Sequence, residues 1–309
     1  MAASPTPPYR RRRALAVGGL AVVFVAAVLV VVVTLGSDGG GSGGGGRATA
    51  SSAAHGGASG ASRTTASAAT GARRDMGAAG PPRPVPILMY HVVSDPLSGS
   101  PYPDLYVPRA QFQDQMQALQ RAGYTAVTLQ EAWDSWHAHG PLPRRPVVVS
   151  FDDGYHSHFT NALPVLRALG WPGVLNLELK NVRSDYGLTV VQVRALIAAG
   201  WELDSHTIDH PDLTTVGAAM LQHEVADSRA ELRRRFGVPV NFFCYPAGRY
   251  NDAVIGAVRR AGYLAATTTN AGLARPGETD RFTLARVRVG NGVSGASLVA
   301  QLASLGAAG

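Results

Sequence analysis

The segment Pro146-Val147-Val148-Val149-Ser150-Phe151 is an apolar run without the polar alternation of a half-solvated strand. Such a run fits a strand covered on both faces, which in soluble chains means a parallel sheet flanked by helices. Its surroundings agree. From about residue 85, short β-like runs alternate with amphipathic stretches. Pro86 to Val93 reads as a strand. Phe112, Met116 and Leu119 recur at helical spacing before Gly123, and Ala126–Leu129 follows as a strand. Helices are then expected near Asn161–Leu169, Val190–Ala199, Ala218–Phe236 and Asp252–Arg260, the last capped by Asn251. Strands are expected near Val174–Leu179, Trp201–Ser205, Val240–Tyr245, Tyr263–Thr268 and Leu284–Val289. Repeated βα units of this number predict an α/β fold: a distorted parallel (β/α) barrel, TIM-like, of about seven units. An open doubly wound sheet is the alternative, but no glycine fingerprint for a nucleotide is present.

The remainder of the 309-residue chain has a different character. Residues 14–35 are apolar or glycine except for Thr34, and about 20 such residues span a bilayer as a helix. Arg10 to Arg13 precede this run, so residues 1–13 are expected in the cytoplasm and everything after Leu35 outside. Thr34-Leu35-Gly36-Ser37 matches a signal-peptide cleavage site only weakly, which favours an uncleaved single-pass anchor; cleavage would give a secreted protein. Residues 36–84, rich in Gly, Ser and Ala, lack the apolar periodicity a fold needs and read as a disordered tether. Roughly 48 residues of such coil reach about 35–40 Å. The folded domain is expected over 85–305.

Net charge is +7, almost all from arginine, with Lys180 the single lysine. No basic stripe is interleaved with aromatics, so a nucleic-acid partner is not expected. Cys244 is the single cysteine, which excludes an intramolecular disulfide; Phe242 and Phe243 before it point to burial.

Two clusters carry chemistry. Asp152-Asp153-Gly154 follows the buried run directly, and the C-terminal strand ends are the catalytic edge of a parallel barrel. Asp-Asp-Gly also reads as a simple turn. Neighbouring residues at a strand end point in different directions, so one carboxylate can bind a metal while the other faces substrate. His206-Thr207-Ile208-Asp209-His210 follows another strand, and imidazoles four apart can converge on one cation if the segment makes a helical turn. A nearby Asp completes the set. His156, His158 and His223 read as solvated, while Trp171, Trp201 and Tyr250 read as core residues or sugar-stacking rings.

With Met89-Tyr90-His91, Phe151-Asp152-Asp153-Gly154-Tyr155, Ser205 to Leu213 and Phe243 to Asn251, the chain resembles the polysaccharide deacetylase family with its NodB-type domain. The resemblance runs from about Ile87 to Val289 and is nearest to the branch with an N-terminal Tyr-His motif. It implies a divalent metal, usually zinc, on Asp153, His206 and His210, with Asp152 as general base and the Tyr245 N–H toward the oxyanion. The family's late Leu-x-His acid is missing, since no histidine follows His223; His91 is the substitute the Tyr-His branch suggests. Asp280 and Arg286 resemble late positions that orient catalytic partners.

The function implied is metal-dependent removal of acetyl groups from N-acetylated sugars of a cell-envelope or extracellular polysaccharide: peptidoglycan, a chitin-like chain or poly-N-acetylglucosamine. An O-acetyl polysaccharide esterase and a non-catalytic, membrane-tethered glycan-binding module stay open. The expected partners are the acetylated polysaccharide and the membrane, and the expected state is a monomer.

Overall fold

The computed structural model describes residues 74–275, 277 and 281–306. The apolar run at 14–35 and the tether up to residue 73 lie outside the described residues. Among the described residues no helix is long and apolar enough to cross a membrane.

The described strands are β1 (Ile87–Tyr90), β2 (Thr125–Val127), β3 (Pro146–Asp153), β4 (Val174–Leu177), β5 (Glu202–Ser205), β6 (Phe242–Cys244), β7 (Ala265–Ala271) and β8 (Leu284–Arg288). All pair in parallel. The order is β1-β8-β7-β6-β5-β4-β3-β2, and a further β1–β3 pairing closes a seven-stranded barrel. β2 stays outside the ring, pairing with the first residues of β3 while β1 takes the later ones. The helices between strands are α1 (Arg109–Arg121), α2 (Leu129–Ala138), α3 (Leu163–Ala168), α4 (Val190–Ala198), α5 (Ala218–Gln222), α6 (Ser228–Phe236) and α7 (Asp252–Arg260), with α8 (Gly295–Ser304) last.

The parallel barrel expected from the alternation of elements is the observed architecture, and Asn251 caps α7 through Val254 N–H. Four details differ. The pattern did not reveal α2, although Thr128 and Glu131 form a full capping box at its start, nor α8. The helix expected over Ala218–Phe236 contains a π-helical turn at His223–Asp227. Residues 74–84, expected to belong to the tether, make contacts with the domain. Arg74 makes a two-pronged pair with Glu131, Ala79 bridges to Pro141, and Trp136 Nε1 donates to the Arg83 carbonyl. These contacts are with α2 and the turn after it, the part of the domain the pattern had missed.

Alternation along the strands separates two cores. Val147, Val149, Phe151, Leu175, Leu177, Leu203 and Phe243 face the helix layer. Ile87, Val148, Val174, Phe242, Ala265 and Leu284 fill the lower barrel with Leu129, Trp133 and Trp136 of α2, which closes the bottom. Further along the inward-facing rows the residues become polar: Ser150, Asp152, Asn176, Asp204, Thr267 and Arg286 are all buried. The barrel is thus apolar at its base and polar at the C-terminal mouth, where active sites of parallel barrels lie.

Phe151 ties the mouth to the helix layer, with ring centroids 4.8 Å from Trp201, 5.7 Å from Tyr90 and 5.8 Å from Phe112. Phe151→Ala should cost about 3–5 kcal/mol, read as a lower urea midpoint at unchanged m-value.

Candidate active site

β3 runs straight into the site. Asp152 stands in register with Asn176 of β4, so its side chain points inward. Strict alternation would send Asp153 outward to the helices, but its φ of 74° is left-handed, and both carboxylates line one cavity. Gly154 follows at φ 91°, where a Cβ would collide with Leu177. Glycine is therefore favoured there by the conformation, while any side chain would also have to push aside the end of Leu177.

The segment after β5 does not make the helical turn expected of His206–His210. Thr207 and His210 have left-handed φ values of 70° and 57°, and the loop is pinned by the buried carboxylate of Glu224. Its Oε2 accepts the N–H groups of Ile208 and Asp209 at 2.8 and 3.0 Å. The histidines converge all the same. Asp153 Oδ1 lies 3.4 Å from His206 Nε2 and 3.8 Å from His210 Nε2, and one ligand atom from each residue falls within 4.8 Å of the others.

The donor set fits a divalent cation. His206 Nδ1 lies 2.8 Å from the Cys244 carbonyl; donation there orients the ring with Nε2 facing Asp153, and because the hydrogen bond to Asp153 helps hold this imidazole's pKa up against burial, a cation bound there would displace the Nε2 proton. Burial, helped by the neighbouring His206, pushes the His210 pKa down to about 4, so its imidazole offers a lone pair at neutral pH. Asp152, His206 and Cys244 form a second close group. Its carboxylate oxygens already have strong partners, which makes it the poorer ligand set.

Those partners define the other half of the site. Arg286 grips Asp152 with two hydrogen bonds of 2.8 Å, and Asn176 Nδ2 donates to Oδ1 at 2.7 Å. Burial alone would raise the Asp152 pKa; the Arg286 charge and hydrogen bonds outweigh it and hold the carboxyl far below the usual range. Arg286 also donates from Nε to the Thr268 carbonyl at 2.7 Å. His91, just past β1, places Nε2 3.8 Å from Asp152 Oδ2. Burial lowers its pKa against the pull of the two carboxylates.

His91, Asp152, Asp153, His206, His210, Tyr245 and Arg286 line one cavity of about 560 Å³. Asp280 lies outside the described residues; among the described residues the acidic partner of Arg286 is Asp152. The Tyr245 N–H donates to the Thr267 carbonyl at 3.2 Å beside the β6–β7 ladder, so in an oxyanion role it would share that bond. One expectation needs correction. His158 is not solvated: it is fully buried, burial pushes its pKa down to about 4, and Nε2 bonds the His91 carbonyl. It lies inward because it opens a π-helical turn, His158–Ala162, which alters the facing that an α-helical reading assumes. His156 and His223 are exposed. Trp171 and Trp201 are core residues and Cys244 is buried. Tyr250 is half-buried, its hydroxyl accepting from Asn270.

Asn176, Glu224 and His158 were missed. An asparagine inside Val174-Leu175-Asn176-Leu177 was a readable signal, because a polar residue in a buried strand needs a partner. Glu224, in the middle of a helix, gave none.

A parallel barrel with carboxylates, imidazoles and a guanidinium gathered at its C-terminal mouth has the groups that metal-assisted hydrolysis uses. The polysaccharide deacetylase family model matches residues 139–266. YxkH of Bacillus subtilis, assigned as a polysaccharide deacetylase, is 33% identical over 224 residues, which cover 72% of this chain and 78% of that protein. The poly-beta-1,6-N-acetyl-D-glucosamine N-deacetylase of Escherichia coli K12 is 26% identical over 67% of this chain but only 37% of its own length. Among solved structures, Streptococcus pyogenes deacetylase PplD in complex with acetate superposes with a TM-score of 0.66 at 26% identity, covering 71% of this chain and 98% of that one. The chain belongs to the polysaccharide deacetylase family, and is accordingly a deacetylase hydrolase.

Removing one partner of a buried ion pair leaves the other uncompensated. Arg286→Met should therefore destabilise the fold by roughly 3–5 kcal/mol, measured by denaturant unfolding.

Proposed function

We propose that this protein hydrolyses N-linked acetyl groups of a hexosamine polymer outside the cell, using a divalent cation, zinc in the first instance, held by Asp153, His206 and His210. The observation that carries the reading is the convergence of those three ligand atoms beside the ionised Asp152. Imidazole and carboxylate donors suit zinc. The substrate named for the Escherichia coli relative, poly-beta-1,6-N-acetyl-D-glucosamine, supports a hexosamine.

Bound there, a divalent cation supplies Lewis acidity to the acetyl carbonyl and lowers the pKa of the attacking water. The chain's own groups handle the protons. Arg286 bonds both oxygens of Asp152 and Asn176 adds a second bond to Oδ1, which holds the carboxylate still; Oδ2, with one donor fewer, is the atom that accepts the proton of the attacking water. Oδ2 faces His91 Nε2 at 3.8 Å. With its pKa lowered by burial, His91 rests neutral, takes that proton and delivers it to the departing amine as the carbon–nitrogen bond breaks. The amine and acetic acid leave, the acid passing its remaining proton to water or to the amine to become acetate, and the Asp152–His91 pair returns to its starting state.

The apolar run at 14–35 supports a single-pass anchor with the domain on the extracytoplasmic side, tethered by the Gly-rich segment.

Full-length protein, stripped with chelator, should release acetate from N-acetylhexosamine oligomers only after zinc is restored; release that is indifferent to chelation would overturn the metal reading. His91→Phe should lower kcat about 10²–10⁴-fold with zinc content unchanged, the range for loss of a general acid–base. An unimpaired variant would remove His91 from the proton path.

A further inference from the structure

Beside the catalytic cavity lies a second, wider one of about 740 Å³, and the two share Tyr102, Leu105, Asp153 and His210. Among the described residues, the large apolar side chains most open to solvent are Leu97, Tyr102, Tyr186, Val191 and Met220. The first three line this groove. Tyr102 is 68% and Tyr186 59% exposed, and Tyr186 lies beside Tyr155 with ring centroids 5.9 Å apart. Exposed apolar side chains grouped in one concavity, next to a reaction centre, mark a binding surface.

The groove is rigidly built. The loop bearing Tyr186 is hydrogen-bonded to the residues that follow the Asp153 ligand: His156 N–H donates to the Tyr186 carbonyl at 2.8 Å and Leu188 N–H to the Gly154 carbonyl at 2.9 Å. Tyr155 and Gly187 form an antiparallel bridge. Gly187 packs so closely on the Asn181 carbonyl that no side chain fits there. The main chain that carries the ring is thus held in place before any ligand arrives, which lowers the entropy cost of binding.

Around the tyrosines stand hydrogen-bonding groups: Glu178, Asn181, Asp185 and His156. Asn181 is 2% exposed and its Oδ1 lacks a partner. Apolar rings flanked by polar rims match a pyranose, which has an apolar C–H face and a hydroxyl-bearing edge. No arginine or lysine is among the described lining residues, whereas carboxylates are. A sugar carrying its own carboxylate on the tyrosine side would meet Asp185 there without an arginine or lysine of the lining to pair with.

Resting on the deacetylase reading above, we infer that the Tyr155–Tyr186 groove is a subsite for the neighbouring, uncharged sugar of the polymer, and that it disfavours carboxylate-bearing sugars at that position. The acetylated unit sits over Asp153 and His210, and the chain continues across these shared residues onto the tyrosines. Productive binding then needs more than one sugar, and the length dependence comes from Tyr186.

The test compares full-length wild type with Tyr186→Ala, Tyr186→Phe and Asp185→Asn on neutral N-acetylhexosamine oligomers of one to six units and on matched oligomers with one carboxylated sugar. Acetate release and calorimetric binding are followed in parallel. Wild-type kcat/KM is expected to rise with length. Tyr186→Ala should cut it about tenfold on the longer neutral oligomers, the size of one stacking contact, and leave the single sugar unchanged. Tyr186→Phe should restore it. Carboxylated oligomers should be poorer for wild type, with the gap narrowed in Asp185→Asn.

Identical length dependence in Tyr186→Ala and wild type would overturn the subsite, and equal use of carboxylated oligomers would overturn the charge preference. Wild type that binds neutral oligomers through Tyr186 yet releases no acetate would uphold the groove and sink the deacetylation reading instead.

Discussion

A guanidinium and a carboxylate, 1% and 2% exposed, face each other inside the barrel mouth, and the rest of the site is arranged around them. Neither charge could be held there alone, because an isolated ion in so dry a place costs several kcal/mol or changes its protonation state. Arg286 comes from β8 and Asp152 from β3. They meet because β1 closes the ring between those two strands. The pair is weak evidence for stability in itself, but it fixes one carboxylate in its ionised form and in one orientation. Asn176 then takes Oδ1, and the apolar plug from α2 keeps the polar layer sealed from below.

Backbone geometry at the mouth is unusual in a matching way. Asp153, Thr207, His210 and Ala247 are left-handed without being glycine, and among the described residues only His139, which ends α2, joins them. Such residues cost on the order of 1–3 kcal/mol each and persist only where surrounding contacts hold them. Here the contacts are visible. Glu224 pins the loop between the two histidines, and Thr207 Oγ1 accepts the His210 N–H at 3.0 Å. The strain turns side chains into the mouth that regular strand or helix geometry would aim elsewhere.

The same mouth continues into the groove of exposed tyrosines, and the connection is covalent as well as spatial. Asp153, Gly154 and Tyr155 are consecutive, so the loop that orients a candidate metal ligand also anchors the platform carrying Tyr186. Reaction centre and recognition surface are therefore fixed relative to each other by main-chain hydrogen bonds.

Much of this could be read from the sequence, because the signals were local. An apolar run covered on both faces implied a buried parallel strand; βα alternation implied the barrel; strand-end Asp152, Asp153, His206 and His210 implied a site at one rim. Three-dimensional closure decided the rest. That Asp152 pairs with Arg286, 134 residues away, depends on ring closure. That His158 is buried depends on a π-helical turn, and Asn176 and Glu224 matter only for what folding sets against them. The contiguity of Tyr102 with Tyr186 likewise has no linear trace. Hydrophobic periodicity and strand-end position are properties of neighbours along the chain, whereas partner choice inside a barrel is a property of neighbours across it.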